Sequence, residues 1–390
     1  MKKRLSLLLL ALVLMFTLVA CNNETDTTET TTEEATETTT EETAEETAEE
    51  TGEEAAESTA PQEGDTVSVG VAIYRFDDNF MTLYREELEN YFSQLSEETG
   101  VTYELDIQDG KQDQATQTEQ INNFITQGKD VMILNLVDVT AANAIINLAQ
   151  EADIPIVFIN REPETDDMKI WPGKTTYVGA DATQSGTFQG EMIAETSNQG
   201  DINGDGQINY IMLQGDPQNV DAQQRTEFSI KALEDAGLTP NALSEPYQAN
   251  WDSARGQEFT ANALAQFGED LEVVFSNNDG MAMGAIQSIN SAGRTVGEDI
   301  YLVGVDAIPE AIQALNDGNL TGTVLNDHFN QSHTAADVAV ELVGGADAES
   351  YYWIDYVKVL SEDDAALKDT EPRTETVEEA EARYAERESN

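Results

Sequence analysis

The chain has 390 residues, and 76 acidic residues against 19 basic ones give a formal charge of −57. That balance excludes a nucleic-acid partner, which needs Lys and Arg to neutralise phosphates. A single cysteine excludes an internal disulfide and any multi-cysteine metal site.

Lys2, Lys3 and Arg4 precede an apolar run from Leu5 to Ala20. At 16 residues the run is shorter than the ~20 a membrane span needs, so residues 1–20 read as a signal peptide. Leu18-Val19-Ala20-Cys21 resembles the lipobox of bacterial lipoproteins. The resemblance implies lipidation of Cys21 and an anchor on the extracytoplasmic face of the membrane. Residues 21–65 then form a tether: 22–65 is Thr, Glu and Ala with 17 acidic residues and no Lys or Arg. Such a segment cannot bury enough apolar surface to offset its chain entropy. Without it the remainder is still strongly acidic.

Strands and helices then alternate. Val67–Tyr74 is an apolar strand, Phe80–Leu95 a helix, Tyr103–Ile107 a strand, Gln114–Thr126 a helix and Val131–Leu136 a buried strand. Ala141–Ala152 is a helix and Pro155–Ile159 a strand. After a loop rich in Pro, Gly and charge, strands are predicted at Tyr177–Gly179, Tyr210–Leu213, Leu243–Tyr247, Val273–Ser276 and Tyr301–Val305. Helices fall near Ser185–Glu195, Asp221–Asp235, Ser253–Phe267, Met281–Ala292 and Pro309–Asn316. Short, nearly all-apolar strands alternating with helices make an α/β protein with doubly wound parallel sheets, and the length predicts two lobes. The segment after Asp363 is charged, with Glu379 and Arg383 at helical spacing, and is assigned no function.

Ligands of such sheets sit at the carboxyl ends of strands. There the chain places Asp77-Asp78-Asn79-Phe80, Asn135, Asn277-Asn278-Asp279, Asp306 and Asn326-Asp327. Any one of them could be a helix N-cap. Five strand ends with carboxylates or amides also suit the vicinal hydroxyls of a sugar, whose C–H faces call for aromatic rings such as Phe80 and Trp251.

Tyr74–Met81, Asn135–Asp138, Asn277–Gly284, Gly304–Ala307 and Gly322–Asp327 together resemble the D-galactose/D-glucose-binding proteins of bacterial ABC importers. The likeness runs from about Val67 to Lys358. It implies a type I periplasmic binding protein, two lobes joined by a three-strand hinge that clamp a hexose and deliver it to ABC permease subunits. It also implies polar ligand contacts from Asp78, Asn135, Asp221, Arg225, Asn278, Asp306 and Asn326, with stacking by Phe80 and Trp251. Asn219 stands where the family has a sugar-binding histidine, so little pH dependence of affinity is expected between about pH 6 and 8. Crossings between lobes are expected near Pro155–Ile159, Asn326–Asn330 and Tyr352–Val357. Lobe one is then 66–154 plus 328–351, lobe two 155–327 plus 352–362, and the tail 363–390.

Asp201-Ile202-Asn203-Gly204-Asp205-Gly206-Gln207-Ile208-Asn209 has the D-x-N-x-D-G opening of a calcium loop, or is an ordinary polar turn. Position 12 is Met212, which will not bind calcium. The family resemblance supplies a distant Glu272 to close the loop around a structural Ca²⁺, with Asp201, Asn203, Asp205, Gln207 and Asn209. Asn209 is shorter than the glutamine of the family.

Four other functions draw on the same fold or residues. Another monosaccharide, or sensing for a chemoreceptor, fits the same features. A glycoside-processing enzyme would use paired carboxylates, but His328 and His333 near a crossing do not make a catalytic pair. A sugar-sensing repressor needs a basic DNA-reading headpiece, which the signal peptide and acidic tether replace.

Overall fold

The computed structural model describes residues 60–361 and 372–389. The expected signal peptide, Cys21 and tether residues 22–59 lie outside them, as does 362–371. Residues 60–65, expected in the tether, belong to the globule. The Gly64 amide donates to Gly100 O at 3.0 Å, and the Thr102 amide to Asp65 O at 2.8 Å.

The first lobe is built from β1 (Thr66–Ile73), α1 (Asn79–Thr99), β2 (Thr102–Asp109), α2 (Gln114–Gln127), β3 (Val131–Leu134), α3 (Ala142–Ala152), β4 (Ile156–Ile159), α4 (Thr165–Met168) and β5 (Thr175–Gly179). The second holds α5 (Ala182–Ala194), β6 (Ile208–Gln214), α6 (Val220–Asp235), β7 (Pro240–Ala242), β8 (Tyr247–Gln248), α7 (Ser253–Phe267), β9 (Val273–Ser276), α8 (Asp279–Ser291), β10 (Tyr301–Val303), α9 (Pro309–Asn316) and β11 (Thr323–Leu325). The chain returns to lobe one as α10 (His328–Val343) and β12 (Tyr351–Trp353), crosses to lobe two as β13 (Val357–Val359), and re-enters lobe one as β14 (Arg373–Glu375) and α11 (Val377–Ser389).

The first sheet runs β14-β12-β5-β4-β3-β1-β2, parallel except for β14. The second runs β10-β9-β6-β7 with β8 beside β6, all parallel. Strands covered on both faces must be apolar throughout, and Val69, Val71, Ile73, Ile133 and Val157 have no exposed surface. Each such side chain contributes ~1.5–3 kcal/mol on burial. Helices in lobe two approach closely where the sequence has glycine. A Cβ on Gly284 would lie 1.9 Å from Ser253 O, so α7 and α8 meet backbone to backbone.

Two expectations need correction. The stretch near Pro155–Ile159 is no crossing: β4 and β5 are inner strands of the first sheet, so lobe one runs on through Gly179 and the chain crosses at Ala180–Asp181. The stretch pairs on both edges, with β3 and with β5, which makes it an inner strand. Of the strand predicted over Leu243–Tyr247 only Tyr247 lies in a strand, β8; Leu243–Pro246 is the bend between β7 and β8, and Pro246 has no amide to add to a ladder. The other crossings lie at Asn326–Asp327, between β11 and α10, and at Ile354–Tyr356, between β12 and β13. The segment expected to be a charged tail supplies the edge strand and a helix of lobe one.

Candidate ligand-binding site

Local chemistry brings the strand ends to one crevice. Asp78 caps α1, its Oδ1 accepting from the Met81 amide at 2.8 Å, while its Oδ2 accepts from the Tyr74 hydroxyl at 2.6 Å. Asn219 caps α6 through the Ala222 amide (3.2 Å), and Asn278 caps α8 through the Met281 amide (2.9 Å). Capping uses one side-chain oxygen and leaves the amide NH₂ of each Asn for another partner. The capping and ligand readings of these residues are therefore compatible.

These residues line a small crevice between the lobes, with a cavity volume of about 30 Å³. Its walls are Tyr74, Asp78, Phe80, Asn160, Arg161, Asn219, Asp221, Arg225, Trp251, Asn278, Asp306 and Asn326. Asn135 is absent from that wall. It is fully buried, accepts from the Tyr74 amide (3.2 Å), and donates to Ile159 O (3.2 Å) and Asn160 Oδ1 (3.1 Å). Its place one residue past the end of β3 turns it into the sheet, where it holds the ends of β1 and β4 together.

Tyr74, Asn160 and Arg161 are wall residues that the sequence reading missed. Each follows a strand, the same signal that found the others; reading Pro155–Ile159 as a crossing hid two of them. The Arg161 guanidinium lies 3.9 Å from the Tyr74 ring centroid, and its Nη1 donates to Val137 O at 2.8 Å.

Arg225 is the electrostatic centre. Its Nη1 donates to Asn277 O (2.8 Å) and its Nη2 to the Tyr356 hydroxyl (2.9 Å). The Asp221 carboxylate is 3.4 Å away and that of Asp306 3.9 Å. Its Nε, buried, meets no acceptor in the protein. Those neighbours outweigh burial and push the guanidinium pKa up. Asp306 is 3% exposed, and burial pushes its pKa up to about 7, opposed by Arg225 and reinforced by Asp78. Asn326 donates to Asp306 at 3.3 Å and is itself held by Gln331 at 2.6 Å. Burial also raises the pKa of Asp221, with Arg225 opposing.

Three wall residues, Asn160 (φ 60°), Asp306 and Trp251, have positive φ. Asp306 has φ 117° and Trp251 φ 63°, regions that L-residues enter at a cost of ~1–3 kcal/mol. The Trp251 ring lies over Gly215, where a Cβ would come within 2.2 Å of it. Arg75 Nη2 reaches from lobe one to Trp251 O at 3.5 Å.

Two sheets with their carboxyl ends facing one polar, aromatic-walled crevice make a clamp. Residues 69–347 match the family model of the periplasmic binding protein domain. The chain belongs to the periplasmic binding protein family. This binding protein is 35% identical over 284 residues to the D-galactose/methyl-galactoside binding periplasmic protein MglB of Haemophilus influenzae, covering 72% of this chain and 82% of that protein. It is 25% identical over 261 residues to the ribose import binding protein RbsB of Salmonella typhimurium, covering 67% and 81%. Among solved structures, an ABC transporter solute binding protein from Bacillus halodurans with bound myo-inositol aligns at TM-score 0.64 and 28% identity, covering 82% of this chain and 99% of that one. These relatives are substrate-binding transport proteins, and the chain is a binding protein of that kind, not an enzyme. The family is extracytoplasmic. Among the described residues no helix is long and apolar enough to cross a membrane.

In the Asp201–Asn209 loop of this binding protein, Asp201 accepts from the amides of Gly204 (2.7 Å), Asp205 (3.1 Å) and Gly206 (2.9 Å). Glu272, fully buried, accepts from the amides of Asn203 (2.8 Å) and Asn209 (2.9 Å), so it ties both ends of the loop. Asn209 Oδ1 accepts from Asn241 at 2.6 Å. Among the described residues no three His, Cys, Asp or Glu side chains gather closely enough to hold an ion as they stand. The donor set is nevertheless all oxygen, as calcium requires, and each carboxylate retains lone pairs beyond those its amides use.

Proposed function

We propose that this protein captures a hexose, D-galactose or D-glucose, between its lobes and delivers it to an ABC permease, and that a lipid on Cys21 holds it to the extracytoplasmic face of the membrane. One observation carries the reading: a single crevice presents carboxylates, amides and a guanidinium from both lobes, with Phe80 and Trp251 in the same wall. A hexose is a ring of hydroxyls that both donate and accept, with apolar C–H faces. Asp306, Asp221 and Asp78 supply acceptors, Arg225 Nε and the Asn NH₂ groups supply donors, and the aromatic rings cover the faces. The 35% identity to a galactose/methyl-galactoside binding protein supports a hexose.

A structural Ca²⁺ in the Asp201–Asn209 loop belongs to the same reading. Asp201, Asn203, Asp205, Asn209 and Glu272 would offer side-chain oxygens, and Gln207 its backbone carbonyl. The ion would fasten β6 to the strand that follows Glu272.

The test is calorimetry on the chain from Ala60 onward against D-galactose, D-glucose, D-ribose, D-allose and myo-inositol. Galactose or glucose should bind most tightly. Tightest binding of ribose or myo-inositol would move the ligand assignment; silence across the panel would end it.

A further inference from the structure

The C-terminal segment is a platform built onto lobe one. β14 pairs antiparallel with β12, and Trp353 Nε1 donates to Glu375 at 2.7 Å. Val377 and Ala380 are buried in the core that also holds Met168, Tyr177 and Trp353. Two arginines reach outward from this platform. The Arg383 guanidinium sits 4.6 Å from the Trp353 ring centroid, and its Nη2 holds Glu375 at 3.0 Å. Its Nη1, buried and without a hydrogen bond, stands 3.8 Å from the Asp181 carboxylate. Arg373 lies 3.3 Å from Asp355.

The two aspartates occupy hinge positions. Asp181 lies in the first crossing and caps α5, the first helix of lobe two, through the Thr183 amide at 3.0 Å. Asp355 lies in the third crossing, next to Tyr356, whose hydroxyl takes the hydrogen bond from Arg225 in the cavity. A third link joins the Tyr384 hydroxyl to Glu162 at 2.7 Å, one residue beyond Arg161 of the cavity wall.

Hinge closure around ligand is the behaviour of periplasmic binding proteins as a class, and a few residues at the crossings absorb the backbone change. The Arg75–Trp251 contact across the crevice marks the arrangement here as closed, and a contact made in it between platform and hinge biases the closed-to-open ratio if opening the hinge lengthens it. We propose that β14 and α11 form a hinge clamp, in which Arg383 on Asp181 and Arg373 on Asp355 favour the closed arrangement before ligand arrives. This rests on the hinge of the family and not on the identity of the sugar.

The test is the distribution of interlobe distances in the ligand-free protein. It uses spin labels at Asn122→Cys in lobe one and Gln287→Cys in lobe two, in the chain from residue 21 with Cys21→Ser. Asp181→Asn keeps the α5 cap, since Asn and Asp cap about equally well, and removes only the charge. It should lower the closed-to-open ratio about two- to fivefold, the range of one modest ion pair. Arg383→Gln should do the same, and the double variant should add little. Asp355→Asn should give a smaller shift. Circular dichroism checks folding; if Arg383→Gln fails to fold, the two aspartate variants decide the matter alone. Unchanged ligand-free distributions in Asp181→Asn and Asp355→Asn, or a shift towards closed, would overturn the clamp. If no sugar of the panel closes the lobes, the ligand reading fails, yet these ligand-free distances still judge the clamp.

Discussion

The cavity and the Asp201–Asn209 loop use the same residue types, Asp and Asn at turns next to strands, and treat them differently. In the loop, the backbone consumes the carboxylates: Asp201 takes three amides and Glu272 two. In the cavity, capping consumes only part of each group, and Asp306 and Arg225 Nε are buried with capacity to spare. Buried polar capacity is costly, ~1–3 kcal/mol per unsatisfied group. At the cavity that cost coincides with the strained backbone of Asp306 and Trp251. What separates a binding site from a polar turn here is how much hydrogen-bonding capacity the local backbone leaves unspent.

Removing the unspent carboxylate should break the comparison most sharply. Asp306→Ala is expected to weaken galactose binding by a factor on the order of 10², since charged hydrogen bonds contribute ~1.5–3 kcal/mol each and Arg225 also loses a neighbour. Calorimetry measures this directly. Equal affinity in wild type and variant would show that the carboxylate takes no part in binding.

The loop is probed through its stability. If calcium binds the native form alone, 100 times Kd of the ion adds ~2.7 kcal/mol, and the melting temperature should rise by several degrees. Glu272→Gln should abolish most of that rise. A wild-type melting curve indifferent to chelator would leave the loop as a turn held by its own amides.

Gly215 tests whether the aromatic wall matters. Its missing side chain makes room for the Trp251 ring, so Gly215→Ala must displace the ring. An affinity loss of about tenfold is expected, near the ~0.5–1.5 kcal/mol attributed to aromatic contacts beyond burial. The sugar-dependent change in tryptophan fluorescence should fall with it. A full fluorescence response in the variant would assign the signal to Trp171 or Trp353.

How much of this was legible follows the same division. The alternation of apolar strands and helices showed both doubly wound sheets, and polar residues just after strands located most of the wall. Asn135 misled because its position past β3 looks like those of its neighbours; only the sheet shows that it faces Tyr74 and Asn160. The fate of Pro155–Ile159 could not be read locally, since a crossing strand and an inner strand are equally apolar. The platform of β14 and α11 was hidden for another reason. Its few apolar residues, Val377 and Ala380, find their partners only in a core assembled from residues some 200 positions earlier.

The pH profile of stability sharpens the comparison further; it is a separate quantity from the affinity, for which the missing histidine suggests a flat profile between about pH 6 and 8. Asp306 rises from 3.8 to about 7 on burial, and Asp279 rises in the same direction. A carboxyl whose folded pKa is raised contributes stability that is fully present below its unfolded pKa and is lost as pH rises through the folded one. Ligand-free protein should therefore lose stability between about pH 4 and 7. Asp306→Asn should flatten the slope, measured as melting temperature against pH, and saturating sugar should flatten it in wild type by giving the carboxylate donors. Identical slopes in wild type and Asp306→Asn would assign the dependence to other groups.

The smallest expected effect belongs to Asn219. Its side-chain oxygen already spends one lone pair in capping α6, so its NH₂ and one remaining lone pair are left for ligand. Like a neutral histidine it can donate and accept, but on a shorter arm fixed by the cap and without titrating. Asn219→Ala removes the cap and the donor together, and a cap alone is worth ~1 kcal/mol of stability. Stability and affinity must therefore be read separately. Asn219→Ser keeps a capping oxygen on a shorter arm and loses the NH₂. If Asn219 touches sugar, Asn219→Ser should hold its melting temperature within a degree or two and lose about fivefold in affinity, the value of ~1 kcal/mol. If Asn219 serves α6 alone, Asn219→Ser should match wild type in both, while Asn219→Ala loses stability with little change in affinity. Asn219→His adds a group that titrates near neutrality. A new pH dependence of affinity in that variant would place the residue against the ligand, and its absence alongside an unchanged Asn219→Ser would make Asn219 a cap that happens to border the cavity.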